Sequence, residues 1–129
     1  MAAAQRRGGG ATRRWRLWLS ALGAAQGQGL FEHSRTVREL TPEAFEASVR
    51  PSVSPWFVDF YAHWCPHCQN FAPMWESVAK QLAGRQGAEF AGVDCAVHYE
   101  FCSKMGVEYY PTMRGFHVAG GELEDATGV

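Results

Sequence analysis

The chain has 129 residues, 47% of them hydrophobic and 13% aromatic, which suffices for one modest core and is too short for two ordinary domains. Its charge is uneven: Arg6, Arg7, Arg13, Arg14 and Arg16 crowd the front, leaving 7 basic against 13 acidic groups in the rest. An acidic body excludes the basic face that a nucleic-acid surface needs.

Residues 1–25 run from arginines through a short apolar patch, Trp15 to Ala25, that closes on Gly23, Ala24 and Ala25. Basic, then apolar, then small is the order of a secretory signal peptide. The patch is too short for a membrane-spanning helix, which takes about 20 residues. An arginine-rich, acid-free segment also fits an organelle transit peptide or a plain tail. Entry into the secretory pathway is expected, with an organelle as the alternative. Residues 26–36 read as a linker, and no later stretch suits a membrane span.

From Val37 onward the pattern is α/β. Val37 to Leu40 is a short strand, and Thr41-Pro42-Glu43 then supplies an N-cap, a proline at the first helical position and an acid in the first turn. The helix should run to about Val49. Pro51, Ser52, Ser54 and Pro55 break it, and Trp56 to Ala62 follows as a strand that is apolar throughout except for Asp59. Such a strand suits a sheet covered on both faces.

Cys68, Phe71, Trp75, Val78 and Leu82 recur at helical period, which predicts a helix with one inward stripe and a kink at Pro73. Cys65 then stands at the open helix N-terminus and Cys68 one turn deeper. Ala88 to Val93 is a second central strand, ending at Asp94-Cys95. Val97, Phe101 and Met105 mark a short helix closed by Gly106. Thr112 to Val118 is a strand, and Ala119 to Glu122 reads as a hairpin turn into a last strand near Leu123.

The Cys65-Pro66-His67-Cys68 pair admits several uses. Haem attachment of the c type needs His after the second cysteine, and Gln69 stands there. A zinc or iron–sulfur site wants four ligands, and His63, His67, His98, Cys95 and Cys102 are not spaced for a standard set. A purely structural crosslink over so short a loop constrains the unfolded chain little. Redox work needs a thiolate, which the unpaired amides and dipole of a helix start favour, and His67 can add a charge or a hydrogen bond. Cys68 is then placed to resolve a mixed disulfide.

FVDFYAHWCPHC, a helix containing proline, and a later GVEYYPT together resemble the thioredoxin superfamily, most closely its protein disulfide isomerases. The resemblance covers roughly Val37 to Glu122 and implies a three-layer thioredoxin-like fold around a mixed sheet. It assigns Cys65 as attacking and Cys68 as resolving cysteine, with Trp64, Pro66 and His67 flanking the site. Tyr110 and Pro111 match the family's substrate-binding segment, whose proline is cis. Asp59 matches a buried acid that takes up the resolving cysteine's proton; a strand-end aspartate reaching water is the plain alternative.

Cys95 and Cys102, in the VDC context, resemble a structural disulfide of certain isomerases and of quiescin-type sulfhydryl oxidases; two free buried thiols are the alternative. The phrase NFAPMW also leans toward the oxidases, whose partner is a flavin domain. The expected activity is thiol–disulfide exchange on cysteine-containing protein substrates, with no metal and no organic cofactor of the domain's own. A flavin-dependent oxidase is a candidate electron acceptor, a redox-inert chaperone-like binding module is the rival reading, and the endoplasmic reticulum lumen or the exterior is the expected location. Pro66-His67 departs from the isomerases' usual Gly-His, so a potential near −120 to −180 mV is expected, against about −270 mV for thioredoxin. The family ends in a strand and helix without counterpart before Val129, so residues 37–129 are expected to form a C-terminally incomplete domain.

Overall fold

The computed structural model describes residues 29–118. Strand β1 (Val37–Glu39) leads into helix α1 (Pro42–Ser48), and the helix starts where the capping chemistry directs. Thr41 Oγ1 accepts a hydrogen bond from the Ala44 amide at 3.1 Å, Pro42 has no amide to satisfy, and Glu43 lies in the positive first turn. Then follow β2 (Trp56–Tyr61), α2 (Pro66–Leu82), a 3-10 turn (Arg85–Gly87), β3 (Glu89–Asp94), α3 (Tyr99–Lys104) and β4 (Thr112–Phe116).

The strands form one mixed sheet in the order β1-β3-β2-β4. Strands β1 and β2 flank β3 in parallel, and β4 runs antiparallel to β2. On one face Val37, Phe57, Tyr61 and Phe90 pack against Cys68, Ala72, Trp75 and Ala79 of α2. On the other, Val58, Phe60, Ala91 and Val93 pack against Phe45 and Val49 from α1 and its C-cap and Cys102 from α3. Coverage on both faces is why β2 and β3 are apolar along their whole length. The result is the expected three-layer α/β arrangement.

Three features differ from the sequence reading. The closest line of α2 to the sheet is Cys68-Ala72-Trp75-Ala79; Phe71 and Val78 flank it, and Leu82 is 42% exposed. Small alanines let the helix backbone approach the sheet, so the bulkier residues that suggest a stripe lie beside it. Val97 is exposed and α3 begins at Tyr99, because His98 occupies the N-cap. Packing also begins earlier than Val37: Phe31, placed in the expected linker, is 1% exposed and meets Tyr61 edge-on at 5.4 Å. Helix α2 runs through Pro73, which is exposed. The N-terminal segment 1–25 and the hairpin and strand expected over 119–123 lie outside the described residues.

Candidate dithiol site

The site is built where β2 gives way to α2. The Cys65 amide donates to the Ala62 carbonyl at 3.0 Å, and the Cys65 carbonyl accepts the Gln69 amide at 3.0 Å. Cys65 therefore caps α2, with φ −80° and ψ 123°, and Pro66 takes the first helical position, where its missing amide costs nothing. As N-cap, Cys65 stands at the end of α2 where the first-turn amides are unpaired and the helix dipole is positive.

Both Cys65 and Cys68 are free thiols. Cys68 is fully buried and Cys65 is only 9% exposed, a narrower contrast than the open position expected for Cys65. Trp64, by comparison, is 62% exposed, and Pro66 and His67 are exposed beside it. Burial is the main force that pushes the Cys68 thiol up to about 12; hydrogen bonding and charge from Cys65, then the charge of Asp59, add to it against a backbone hydrogen bond from Ala62. At neutral pH Cys68 is thus a protonated thiol that needs a base before it can attack.

A buried acid stands on β2. Asp59 is 0% exposed, and neither carboxyl oxygen has a hydrogen-bond partner among the described residues. It shares the α2-facing side of the strand with Phe57 and Tyr61. Burial, and secondarily the negative charge of Glu39, push it up to about 8. The alternative of an aspartate reaching water does not describe this residue.

The second segment arrives from the far end of the domain. The Tyr110–Pro111 peptide bond is cis, and the Thr112 hydroxyl donates to the Tyr109 carbonyl at 2.6 Å, which tightens the turn into β4. Tyr110 packs against both core clusters. Burial raises its hydroxyl's pKa, and the charges of Tyr99, Cys68 and Asp94 add to this, so Tyr110 and the cysteine pair share one neighbourhood. Cys95 and Cys102 form a disulfide with a Cα separation of 5.7 Å, tying the end of β3 to α3 on the opposite face from Cys68.

Two polar clusters near the site were not foreseen. His63 Nδ1 lies 2.7 Å from Asp94 Oδ2, and the His63 and Ala96 amides donate to Asp94 Oδ1 at 3.3 and 3.0 Å. On the other side, the Tyr61 hydroxyl donates to Glu39 Oε1 at 2.5 Å while accepting from the Leu30 amide at 2.9 Å, and the Phe31 amide donates to Glu39 Oε2 at 3.0 Å. Both join residues from different strands or from the segment before β1, so no local spacing announces them. Glu39 on an otherwise apolar strand face was the one available signal. Among the described residues no group of three or more His, Cys, Asp or Glu is arranged to hold a metal ion.

Two thiols at the start of a crossover helix, a cis-proline segment beside them and a buried acid below define a dithiol–disulfide domain on a three-layer α/β scaffold. The thioredoxin family model matches residues 36–129, and the chain belongs to the thioredoxin family. It is 38% identical over 99 residues to sulfhydryl oxidase 1 of Oryza sativa subsp. japonica, covering 70% of this chain and 19% of the oxidase. It is 37% identical over 78 residues to protein disulfide isomerase-like 5-1 of the same rice, covering 60% of this chain and 53% of that protein. Among solved structures it resembles the Trx4 domain of ERdj5, with a TM-score of 0.65 and 33% identity over 72% of this chain and 83% of that one. The chain thus spans about half the length, or less, of these two curated relatives.

Proposed function

We propose that this protein is a thiol–disulfide oxidoreductase acting on cysteine-containing protein substrates. The observation that carries the reading is the division of labour within the pair. Cys65 occupies a helix start, whose unpaired amides favour a negative sulfur, while Cys68 is a buried, strongly protonated thiol that feels the charge of an unpartnered carboxyl, Asp59. In the forward step a Cys65 thiolate attacks a substrate disulfide, forming a Cys65–substrate bond and releasing one substrate thiolate. Asp59 in its carboxylate form takes the Cys68 proton, the Cys68 sulfur attacks Cys65, and the Cys65–Cys68 disulfide forms as the second substrate thiolate leaves. Tyr110 and Pro111 hold the extended substrate beside the sulfurs, and exposed Trp64 offers it an apolar surface. Insulin reduction tests this: Cys65→Ser should abolish turnover, and activity that survives it would defeat the proposal.

A second reading draws on the rice sulfhydryl oxidase: the domain passes electrons to a flavin-dependent oxidase. Oxygen consumption on adding such an oxidase to the reduced domain, dependent on Cys65, distinguishes it from a free-standing isomerase. The names of the relatives and the character of residues 1–25 support placing the protein in the secretory pathway, with the packed domain under way by Phe31. No helix among the described residues is long and apolar enough to cross a membrane.

A further inference from the structure

The register of the sheet sets three residues in one row: Glu39 on β1 pairs with Gly92 on β3, and Gly92 pairs with Asp59 on β2. In parallel strands matched residues point to the same face, here the α2 side. Gly92 places no side chain between the two carboxyl groups. The gap above it is filled by rings: a Cβ at Gly92 would stand 2.4 Å from Phe31 Cδ2 and 3.2 Å from Tyr61 Cε1. Two acids therefore face each other across an apolar filling, two strand spacings apart, or about 10 Å between backbones.

Their circumstances differ. Asp59 is sealed in with no polar partner. Glu39 is held at both oxygens, by the Tyr61 hydroxyl and the Phe31 amide, and reaches the wall of a surface cavity of about 440 Å³ lined also by Thr41, Asp94 and His98. The groups bearing on the pair are Cys68 from α2, itself coupled to Cys65 at the helix cap, Tyr61 from β2, Asp94, bonded to His63, at the end of β3, and Glu32 from the segment before β1. The charges acting directly on the two carboxyls are all negative.

We propose that Glu39 is a positioning residue for the redox step, acting through Asp59: its negative charge, held at the water-facing end of the row, makes the sealed Asp59 carboxylate a stronger base toward the Cys68 proton. The idea rests on the functional reading above, in which Asp59 receives that proton. The electrons move from Cys68 sulfur to Cys65 sulfur, the proton from Cys68 to Asp59, and Glu39 exchanges nothing with the substrate. Its part is to keep Asp59 from being a weak, permanently ionised base.

The test is a ¹³C titration of the aspartate carboxyl carbons in the reduced protein, with the Asp59 signal assigned by its loss in Asp59→Asn. Two charges about 10 Å apart at an effective dielectric near 20 interact by about one pH unit. Glu39→Gln keeps the size and an acceptor for Tyr61 but removes the charge, so the Asp59 midpoint should fall by about one unit. Glu39→Asp, which keeps the charge, should hold it closer to the wild-type value. In single-turnover release of a peptide from Cys65, the pH midpoint of the resolving step should follow the titration, and Glu39→Gln should lower its plateau rate. An Asp59 midpoint that moves less than ~0.2 units in Glu39→Gln, or equally in both variants, overturns the proposal. Because the titration needs no turnover, it decides the coupling even if Cys65→Ser shows the functional reading to be wrong.

Discussion

Replacing Asp59 by asparagine should make the protein more stable, and increasingly so as pH rises. Asp59 has an ordinary carboxyl pKa of 3.8 and is pushed up to about 8 in the fold. Between those values the folded state holds a proton that the unfolded chain has released, so stability falls by up to 1.36 kcal/mol per pH unit. At pH 4 wild type and variant both bury an uncharged polar group without partners, and their stabilities should be close. By pH 7 some three units of the window have been crossed, so Asp59→Asn should be ahead by about 4 kcal/mol, and the lead should level off above pH 8. Set against a total of roughly 5–15 kcal/mol for a domain, that is a large fraction. Urea unfolding of both proteins in the same redox state, at intervals from pH 4 to 8.5, measures the difference directly. A difference that stays constant across this range would show that Asp59 is not a buried, proton-holding acid. The same substitution should slow insulin reduction, since it removes the base that Cys68 needs.

Removing the second disulfide with Cys95→Ala and Cys102→Ala opens a loop of about eight residues and should cost roughly 2.5 kcal/mol on the chain-entropy estimate, seen as a lower urea midpoint. Gly92→Ala, whose new Cβ would fall 2.4 Å from the Phe31 ring, should destabilise by about 1–3 kcal/mol; unchanged thermal unfolding would show that the ring moves freely. Trp64→Ala should leave stability within about 0.5 kcal/mol because the ring is 62% exposed, yet raise KM for a peptide disulfide. Equilibration of the Cys65–Cys68 pair with glutathione should give a potential near −120 to −180 mV; a value below about −250 mV would refute the role given to Pro66-His67.

Local chemistry carried most of the fold. Thr41-Pro42-Glu43 announces α1 because capping is settled within four residues, and the unbroken apolar run of β2 announces a sheet covered on both sides. The site's outline was legible for the same reason: Cys65 and Cys68 are fixed by one helix start, and YPT by one turn. What could not be read was set by register. Nothing in the sequence says that Glu39 and Asp59 flank Gly92, since parallel strands far apart in the chain leave no mark of which residues oppose. The His63–Asp94 contact spans 31 positions and was hidden likewise. Phe31 was missed because an isolated aromatic before a strand has no periodicity to give it away. The inward stripe of α2 was legible at Cys68, Phe71, Trp75 and Val78 but not at its end, where Leu82 is exposed, nor at Ala72 and Ala79, whose small side chains carry no strong hydrophobic signal.

Trapping shows directly whether Cys65 attacks and Cys68 resolves. With Cys68→Ser the second step cannot occur, so a peptide disulfide should leave a stable mixed disulfide that mass mapping places on Cys65. An adduct on another cysteine, or none where Cys65→Ser retains turnover, would contradict that assignment.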